Sequence, residues 1–295
     1  MLVSCEQSRA PFGVEASAEP ALFAPGIVSS EDNLEYGIAF SPDGREVYFT
    51  RSTGGRRGRP RIMVSRVVEG AWSEAEPASF STGWEETPFI TQDGRWLYYS
   101  SRRDIPGWGP VRGSNNLWRV ERGPDGWANE QPLSGEVNRP RVDGEGTPGR
   151  SETSPIVLGD GTLLYSTEDE PERGSDIYVA DRSGDRYTNP RPMLLNTAGD
   201  ESNPTMSPDG RWLVFQGYRH VFAPSDDLYV SERTEFGWSE PRPLPAPINT
   251  PFTEAYPRFS PDGSLLFFAS DRGPGRMSIY YVSAEAAGLT PETVE

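Results

Sequence analysis

The sequence predicts an all-β protein: a single five-bladed β-propeller with four-stranded antiparallel blades, its ring closed by the N-terminal strand completing the last blade. Three observations predict it. An Asp-Gly pair followed at once by an apolar run occurs five times between Asp43 and Gly263. The intervals between the five Asp residues are 50, 67, 49 and 53, a period that suits propeller blades and not helical repeats of about thirty to forty residues. The composition, 29 Pro and 31 Gly with 11% aromatics in 295 residues, fits many short strands with frequent turns and argues against disorder.

Each element follows from a physical requirement. Asp-Gly suits a tight hairpin because Gly carries no Cβ and Asp tolerates the left-handed region. The five pairs are Asp43-Gly44, Asp93-Gly94, Asp160-Gly161, Asp209-Gly210 and Asp262-Gly263, whereas the pairs at Asp125 and Asp143 lack the apolar run and read as ordinary turns. The innermost strand of a blade ends at its turn, as in residues 257–260. The second strand is the apolar run itself, apolar at consecutive positions because stacked blades cover both of its faces. The third carries a polar-aliphatic-aromatic signature: Asn116-Leu117-Trp118, Asp176-Ile177-Tyr178, Asp227-Leu228-Tyr229 and Ser278-Ile279-Tyr280, with Arg61-Ile62-Met63 the weakest copy.

The fourth strand starts at an aromatic residue and ends at a proline five positions on: Trp72 with Pro77, Trp127 with Pro132, Tyr187 with Pro192, Trp238 with Pro243. Proline is tolerated there because an outermost strand is an edge. Only four copies serve five blades, and the missing one is expected at the other end of the chain, where residues 15–20 and then Ala21-Leu22-Phe23 have the right spacing. Closing the ring with that strand removes an exposed seam. The expected organisation is a tether over 1–13, the propeller over 14–283 and a C-terminal tail over 284–295. The long interval accommodates a loop over 134–150, not a further blade.

Charge and cysteine usage bound the partners. A net charge of −16 argues against nucleic acid, because phosphate binding needs the opposite sign. All 28 basic residues are Arg, which removes lysine Schiff-base chemistry. The single cysteine, Cys5, permits no internal disulfide. Leu2-Val3-Ser4-Cys5 resembles the lipobox of bacterial lipoproteins, in which the Cys is lipidated; a charged start and an apolar stretch would stand before such a box. The alternative is a chance Cys in a loose N-terminus.

Ser-Pro-Asp-Gly before an apolar strand, then Ser270-Asp271-Arg272 and Ile279-Tyr280-Tyr281-Val282, is similar to the WD40-like (PD40) repeats of the TolB family. The spacer Pro247-Ile248-Asn249-Thr250 followed by Glu254 and Pro257 resembles the version found in cell-envelope proteins that carry an OmpA-type domain. The resemblance implies a five-bladed propeller in the periplasm or cell envelope of a bacterium. It implies little about activity, since this repeat occurs in binding propellers and beside peptidase domains alike.

One repeated feature is explained neither by turns nor by packing. A glutamate stands eight residues before each turn Asp: Glu35, Glu85, Glu152, Glu201 and Glu254. Where the innermost strands begin, five such side chains are expected to ring one mouth of the central channel, and like charges that close need compensation. Arg51, Arg102, Arg103, Arg219 and Arg272, eight to ten residues after their turn Asp, are the candidate partners. In one reading each Glu pairs with an Arg or with backbone amides and fixes the start of its blade. In the other, part of the ring binds a metal ion such as Ca2+, a cationic ligand or a partner peptide. Trp84, Trp108 and Phe222, in loops beside the same mouth, read either as a sugar-binding surface or as loop packing. The arginines between Arg51 and Arg61 form the one basic patch, a solvated loop or a dock for an anionic surface.

Catalytic motifs narrow the enzyme readings. The single histidine, His220, precludes a His-rich metal site, and no G-x-S-x-G elbow, Walker A loop or dinucleotide fingerprint is present. Carboxylate-only chemistry on a sugar remains, with an acid facing a base or nucleophile. The sequence therefore favours a non-catalytic propeller, monomeric, that binds an envelope protein, small ligand or glycan through the channel mouth or rim loops. A carbohydrate-active hydrolase or lyase is the alternative.

Overall fold

The computed structural model describes residues 11–55, 58–108, 114–139, 151–170, 174–218, 225–273 and 276–290. Five antiparallel sheets follow one another along the chain. Blade one is Leu34–Phe40, Glu46–Thr53 and Arg59–Val68, with an outer edge split into Ala71–Trp72 and Glu76–Pro77; blade two is Glu85–Ile90, Trp96–Ser101, Asn116–Gly123 and Gly126–Pro132. Blade three is Glu152–Val157, Leu163–Glu170, Gly174–Ser183 and Arg186–Pro192, and Ser134–Gly135 from the long interval lies parallel to its outer strand. Blade four is Asp200–Met206, Trp212–Tyr218, Asp227–Thr234, Gly237–Trp238 and Arg242–Pro243.

Blade five shows the closure. Its strands Glu254–Phe259, Leu265–Ser270 and Ser278–Ser283 are completed by Ala21–Leu22, with Ala21 opposite Tyr281 and Leu22 opposite Tyr280. The next residue, Phe23, has no exposed surface and meets Phe267, Phe40 and Trp72 at ring-centroid distances of 5.2, 5.7 and 6.0 Å. It therefore joins the first and last blades through an aromatic core as well as through the sheet. Phe12, inside the expected tether, is buried against Phe40 at 5.2 Å. At the other end Ala284, Ala287 and Leu289 pack into the core shared by blades four and five, so part of the expected tail belongs to the domain.

Two side-chain devices recur. At four of the five turns a Ser or Thr hydroxyl donates to the turn Asp, at 2.5–2.6 Å in Ser41–Asp43, Thr91–Asp93, Ser207–Asp209 and Ser260–Asp262. In the spacer before an innermost strand, a short polar side chain pairs with both backbone groups of one apolar third-strand residue. Asn138 does this for Leu117, Asn196 for Ile177, Asn249 for Leu228 and Ser29 for Ile279. Each clamp gives the strand amide its acceptor and adds a second donor to the strand carbonyl, which also accepts from the amide of Leu133, Met193, Leu244 or Phe23.

Candidate functional site

All five innermost strands run in the same sense, so their first residues share one face, the start face, and the Asp-Gly turns share the other. Glu35, Glu85, Glu152, Glu201 and Glu254 stand at or next to those starts, and none has any exposed surface. Glu35 accepts from Ser30 Oγ at 2.7 Å and Arg51 Nε at 2.9 Å. Glu85 accepts from the Gly83 amide at 2.7 Å, Ser81 Oγ at 3.0 Å and Arg103 Nε at 3.0 Å. Glu201 takes the Thr197 amide and hydroxyl at 2.7 and 2.6 Å. Glu254 takes both from Thr250, at 2.8 and 2.7 Å, with Ser270 Oγ and Arg272 Nη2 each at 2.9 Å. Burial pushes the Glu35 and Glu254 carboxyls above the usual range, an effect opposed by these donors.

The arginines go further than the carboxylates. Arg51 also donates to Ile27 O at 2.8 Å, Arg103 to Phe80 O and Arg272 to Pro247 O at 2.9 Å and to Ile248 O. Each thus ties a spacer to the start of its blade. Blade two uses Arg103 for this and not Arg102, so of the expected pairs Arg51–Glu35 and Arg272–Glu254 form and Arg102–Glu85 does not. The expected ring of five carboxylates is not presented at the mouth. Among the described residues no three Asp, Glu, His or Cys side chains converge as a metal group. Arg219, Phe222 and Cys5 lie outside the described residues.

The position after the glutamate is partly exposed in four blades, at Tyr36, Glu86, Thr153 and Ser202. Every innermost strand breaks register just after its glutamate. Two residues beyond the Glu, the backbone enters the left-handed region each time: Gly37 at φ 56°, Thr87 at 54°, Ser154 at 52°, Asn203 at 53° and Tyr256 at 51°. A bulge of this kind turns side chains out of the pleat and breaks the ladder locally. In three sectors the freed amide is caught by the second strand of the preceding blade: Thr87 N by Thr50 Oγ1 at 2.9 Å, Ser154 N by Ser100 Oγ at 3.1 Å and Asn203 N by Ser166 Oγ at 2.9 Å. Ser154 Oγ further donates to Asn203 Oδ1, and Asn203 Nδ2 to Gln216 at 2.5 Å. These contacts form a polar girdle joining blades one to four.

The seam between blades five and one departs from this girdle. The equivalent acceptor position is Ala269, and Gly37 offers no side chain. In their place Tyr36 and Tyr256 lie ring against ring, with centroids 4.6 Å apart. Tyr36 donates to Glu86 at 2.8 Å, Asn115 Nδ2 donates to the other Glu86 oxygen at 2.9 Å, and the Arg102 guanidinium sits 4.5 Å over the Trp84 ring. Burial, then the Glu86 carboxylate, raises the Tyr36 hydroxyl well above its usual range, so it remains a donor at neutral pH. Tyr36, Tyr256, Glu86, Arg102 and Trp84 are all partly exposed.

Of the predicted site residues, Trp84 and Arg102 therefore belong to one array. Trp108 packs against the core of blades one and two instead. Tyr36, Glu86 and Tyr256 were not singled out from sequence. The available signal was loss of equivalence: the position after the repeated Glu reads Tyr36, Glu86, Thr153, Ser202, Ala255, and the one after that Gly37, Thr87, Ser154, Asn203, Tyr256.

Neither a protein-family model nor a curated protein matches the sequence. Solved structures share the fold of this chain. TolB from Acinetobacter baumannii aligns over 86% of this chain and 53% of its own at 15% identity, with a TM-score of 0.54. An α-L-arabinofuranosidase from Lactobacillus brevis aligns over 87% of this chain and 92% of its own at 12% identity, TM-score 0.52. A protein of unknown function from Dyadobacter fermentans aligns over 92% and 84%, also at 12% and 0.52. The chain spans about half the length of the TolB protein. Likeness at such identities is a likeness of fold.

Proposed function

We propose that this chain is a binding propeller of the bacterial envelope, which recognises a ligand or a partner segment at the start-face mouth through the Tyr36–Tyr256 pair and the Glu86–Arg102–Trp84 array beside it. The observation that carries this reading is the break in fivefold equivalence. Four blades are joined around the channel by one polar scheme, whereas at the seam between blades five and one two tilted aromatic rings meet where that scheme would run, and Tyr36 reaches from them to the Glu86 carboxylate of blade two. Partly exposed aromatics with a few fixed polar groups make a recognition surface for sugar faces or extended peptide. The envelope location rests on the resemblance of Leu2 to Cys5 to a lipobox and of the repeats to TolB-like ones.

A second reading has its own support. Glu86 is a channel-side carboxylate hydrogen-bonded to a tyrosine, and the arabinofuranosidase above is an enzyme of this fold, so glycoside chemistry at the same mouth is the alternative. One experiment separates the two. Purified wild type and Tyr256→Ala are compared for retention of envelope proteins and glycans, and for release of reducing ends from the same glycans. The binding reading expects a component retained by wild type and lost by Tyr256→Ala, without turnover. Identical retention profiles would overturn it, and turnover abolished by Glu86→Gln would replace it with the hydrolase or lyase.

A further inference from the structure

The turn face of the channel holds a cavity of about 680 Å³ to which all five blades contribute, a volume within the usual range for small-molecule sites. Arg258, on the innermost strand of blade five, is one of its lining residues and is only 8% exposed. Its side chain crosses the channel. Nε donates to Ile38 O of blade one at 3.2 Å, and the guanidinium lies 5.3 Å from the ring centroid of Phe89 in blade two. Nη1 is buried and has no hydrogen-bond partner among the described residues. No carboxylate of those residues lies within ion-pair distance of it. The half-buried arginines Arg51, Arg103 and Arg272 each hold a glutamate, and Arg119, the other buried arginine of the described residues, reaches Asp185 at 3.6 Å.

A guanidinium that is buried and unpaired costs several kcal/mol relative to a paired one or to an apolar side chain of its size. We infer that the turn-face cavity is a site for a small organic monoanion, a carboxylate on an apolar body, held by Arg258. The planar fork matches a carboxylate. The walls beside it, Phe40, Phe89, Ile156 and Phe259, suit an apolar body, and Thr205 adds a hydroxyl. One buried cation balances one negative charge. The rim carries Asp93, Asp160 and Asp209 as well as Arg95, Arg182 and Arg233, and the whole chain has a charge of −16, so a dianion such as phosphate is disfavoured. Burial lowers the Arg258 pKa to about 10, which leaves the side chain charged at neutral pH. This site lies at the opposite mouth from the aromatic array and stands or falls independently of it.

Benzoate is the probe, with benzamide as its neutral isostere and inorganic phosphate as the dianion, each titrated into the full chain by calorimetry. Saturable benzoate binding is expected, weakened roughly 10- to 100-fold in Arg258→Met, the change expected when a charge-assisted hydrogen bond is lost. Benzamide and phosphate should bind no better than benzoate binds that variant. Equal benzoate affinity in wild type and Arg258→Met, absence of benzoate binding to wild type, or preference for phosphate would each overturn the assignment. Because Arg258 also bridges blades, Arg258→Lys, which keeps the charge but not the fork, and the Arg258 Nε–H resonance of wild type serve as controls that do not require Arg258→Met to fold. A resonance that benzoate leaves in place would overturn the assignment just as directly.

Discussion

Glu254 and Tyr256 lie two residues apart on one strand, yet they belong to different parts of the molecule's logic. Glu254 is buried, bound by Thr250, Ser270 and Arg272, and has a counterpart in every blade. Tyr256 is partly exposed, sits past the bulge at φ 51°, and has no aromatic counterpart at its position in the other four. Repetition within the chain marks what each blade needs in order to attach to the next. Departure from repetition, at a position the fold already turns toward the channel, marks what this particular propeller is free to use.

The sharpest way to break that distinction is to remove one repeated carboxylate. Glu254→Ala leaves Arg272, whose side chain is only 14% exposed, facing Ser270 and two backbone carbonyls without its counter-charge. Breaking a buried ion pair from one side costs about 3–5 kcal/mol, and Glu85→Ala should cost less, because Arg103 keeps Glu130 at 2.7 Å. Urea denaturation measures it. A loss below about 1 kcal/mol, the ordinary size of a surface substitution, would mean that the repeated Glu is not structural.

Closure of the ring is tested with an effect of similar size. Phe23→Ala empties a fully buried aromatic site between the first and last blades, which typically costs about 3–5 kcal/mol. Deleting residues 1–26 removes both that ring and the closing strand, and the melting temperature of the whole domain should fall. A truncated protein that melts like the intact one would show that the closing strand contributes nothing.

The fold was legible in the sequence because its signals are local and repeated. Asp-Gly turns, consecutive apolar residues in second strands, and prolines at outer edges each follow from a backbone requirement that five blades state independently. Ring closure was legible as a shortage, four outer strands for five blades. The mouth was not. The residue that turns into the channel is selected by a bulge, and a bulge shifts which face a side chain takes by one position. Of the two readings the repeated Glu allowed, the structure shows the pairing with Arg, Ser, Thr and backbone amides, and Glu86, next to Glu85, is the carboxylate that reaches the array. Arg102 and Arg103 posed the same problem, since adjacent residues point to opposite faces and spacing alone does not choose between them. The Asn clamps were visible as Asn-Thr pairs before Glu201 and Glu254, but their bonds to third strands require the folded blade.

A smaller effect is expected from those clamps. Asn249→Ala removes the partner of Leu228 N and one of the donors to Leu228 O, which keeps the Leu244 amide, together with a bond to Leu244 O, and should cost about 1–3 kcal/mol by leaving the Leu228 amide unpaired. Smaller again is Tyr256→Gly. Glycine adopts the left-handed conformation freely, so its substitution relieves backbone strain while forfeiting the ring contact with Tyr36. The two contributions nearly offset, and stability should stay within about 1 kcal/mol while binding at the mouth is lost. Destabilisation as large as that of Glu254→Ala would place Tyr256 among the structural residues and collapse the comparison.

The smallest effect separates the two faces by pH. At the turns, the Ser41 and Thr91 hydroxyls hold the Asp43 and Asp93 carboxyls below their ordinary value of 3.8. Their contribution is fully present above that value and is lost as pH falls through the lower folded pKa values. At the start face the sign reverses. Burial raises Glu35 and Glu254 above 4.5, so between 4.5 and the folded pKa values the native state holds more protons than the unfolded chain, and stability declines as pH rises through that window. Urea midpoints measured across it should therefore fall with pH in wild type. They should fall less steeply in Glu35→Gln/Glu254→Gln, whose amides do not titrate. An unchanged slope in the double variant would show that these carboxyls titrate as they do in the unfolded chain, and that the bonds from Ser30, Thr250 and the arginines fully compensate their burial.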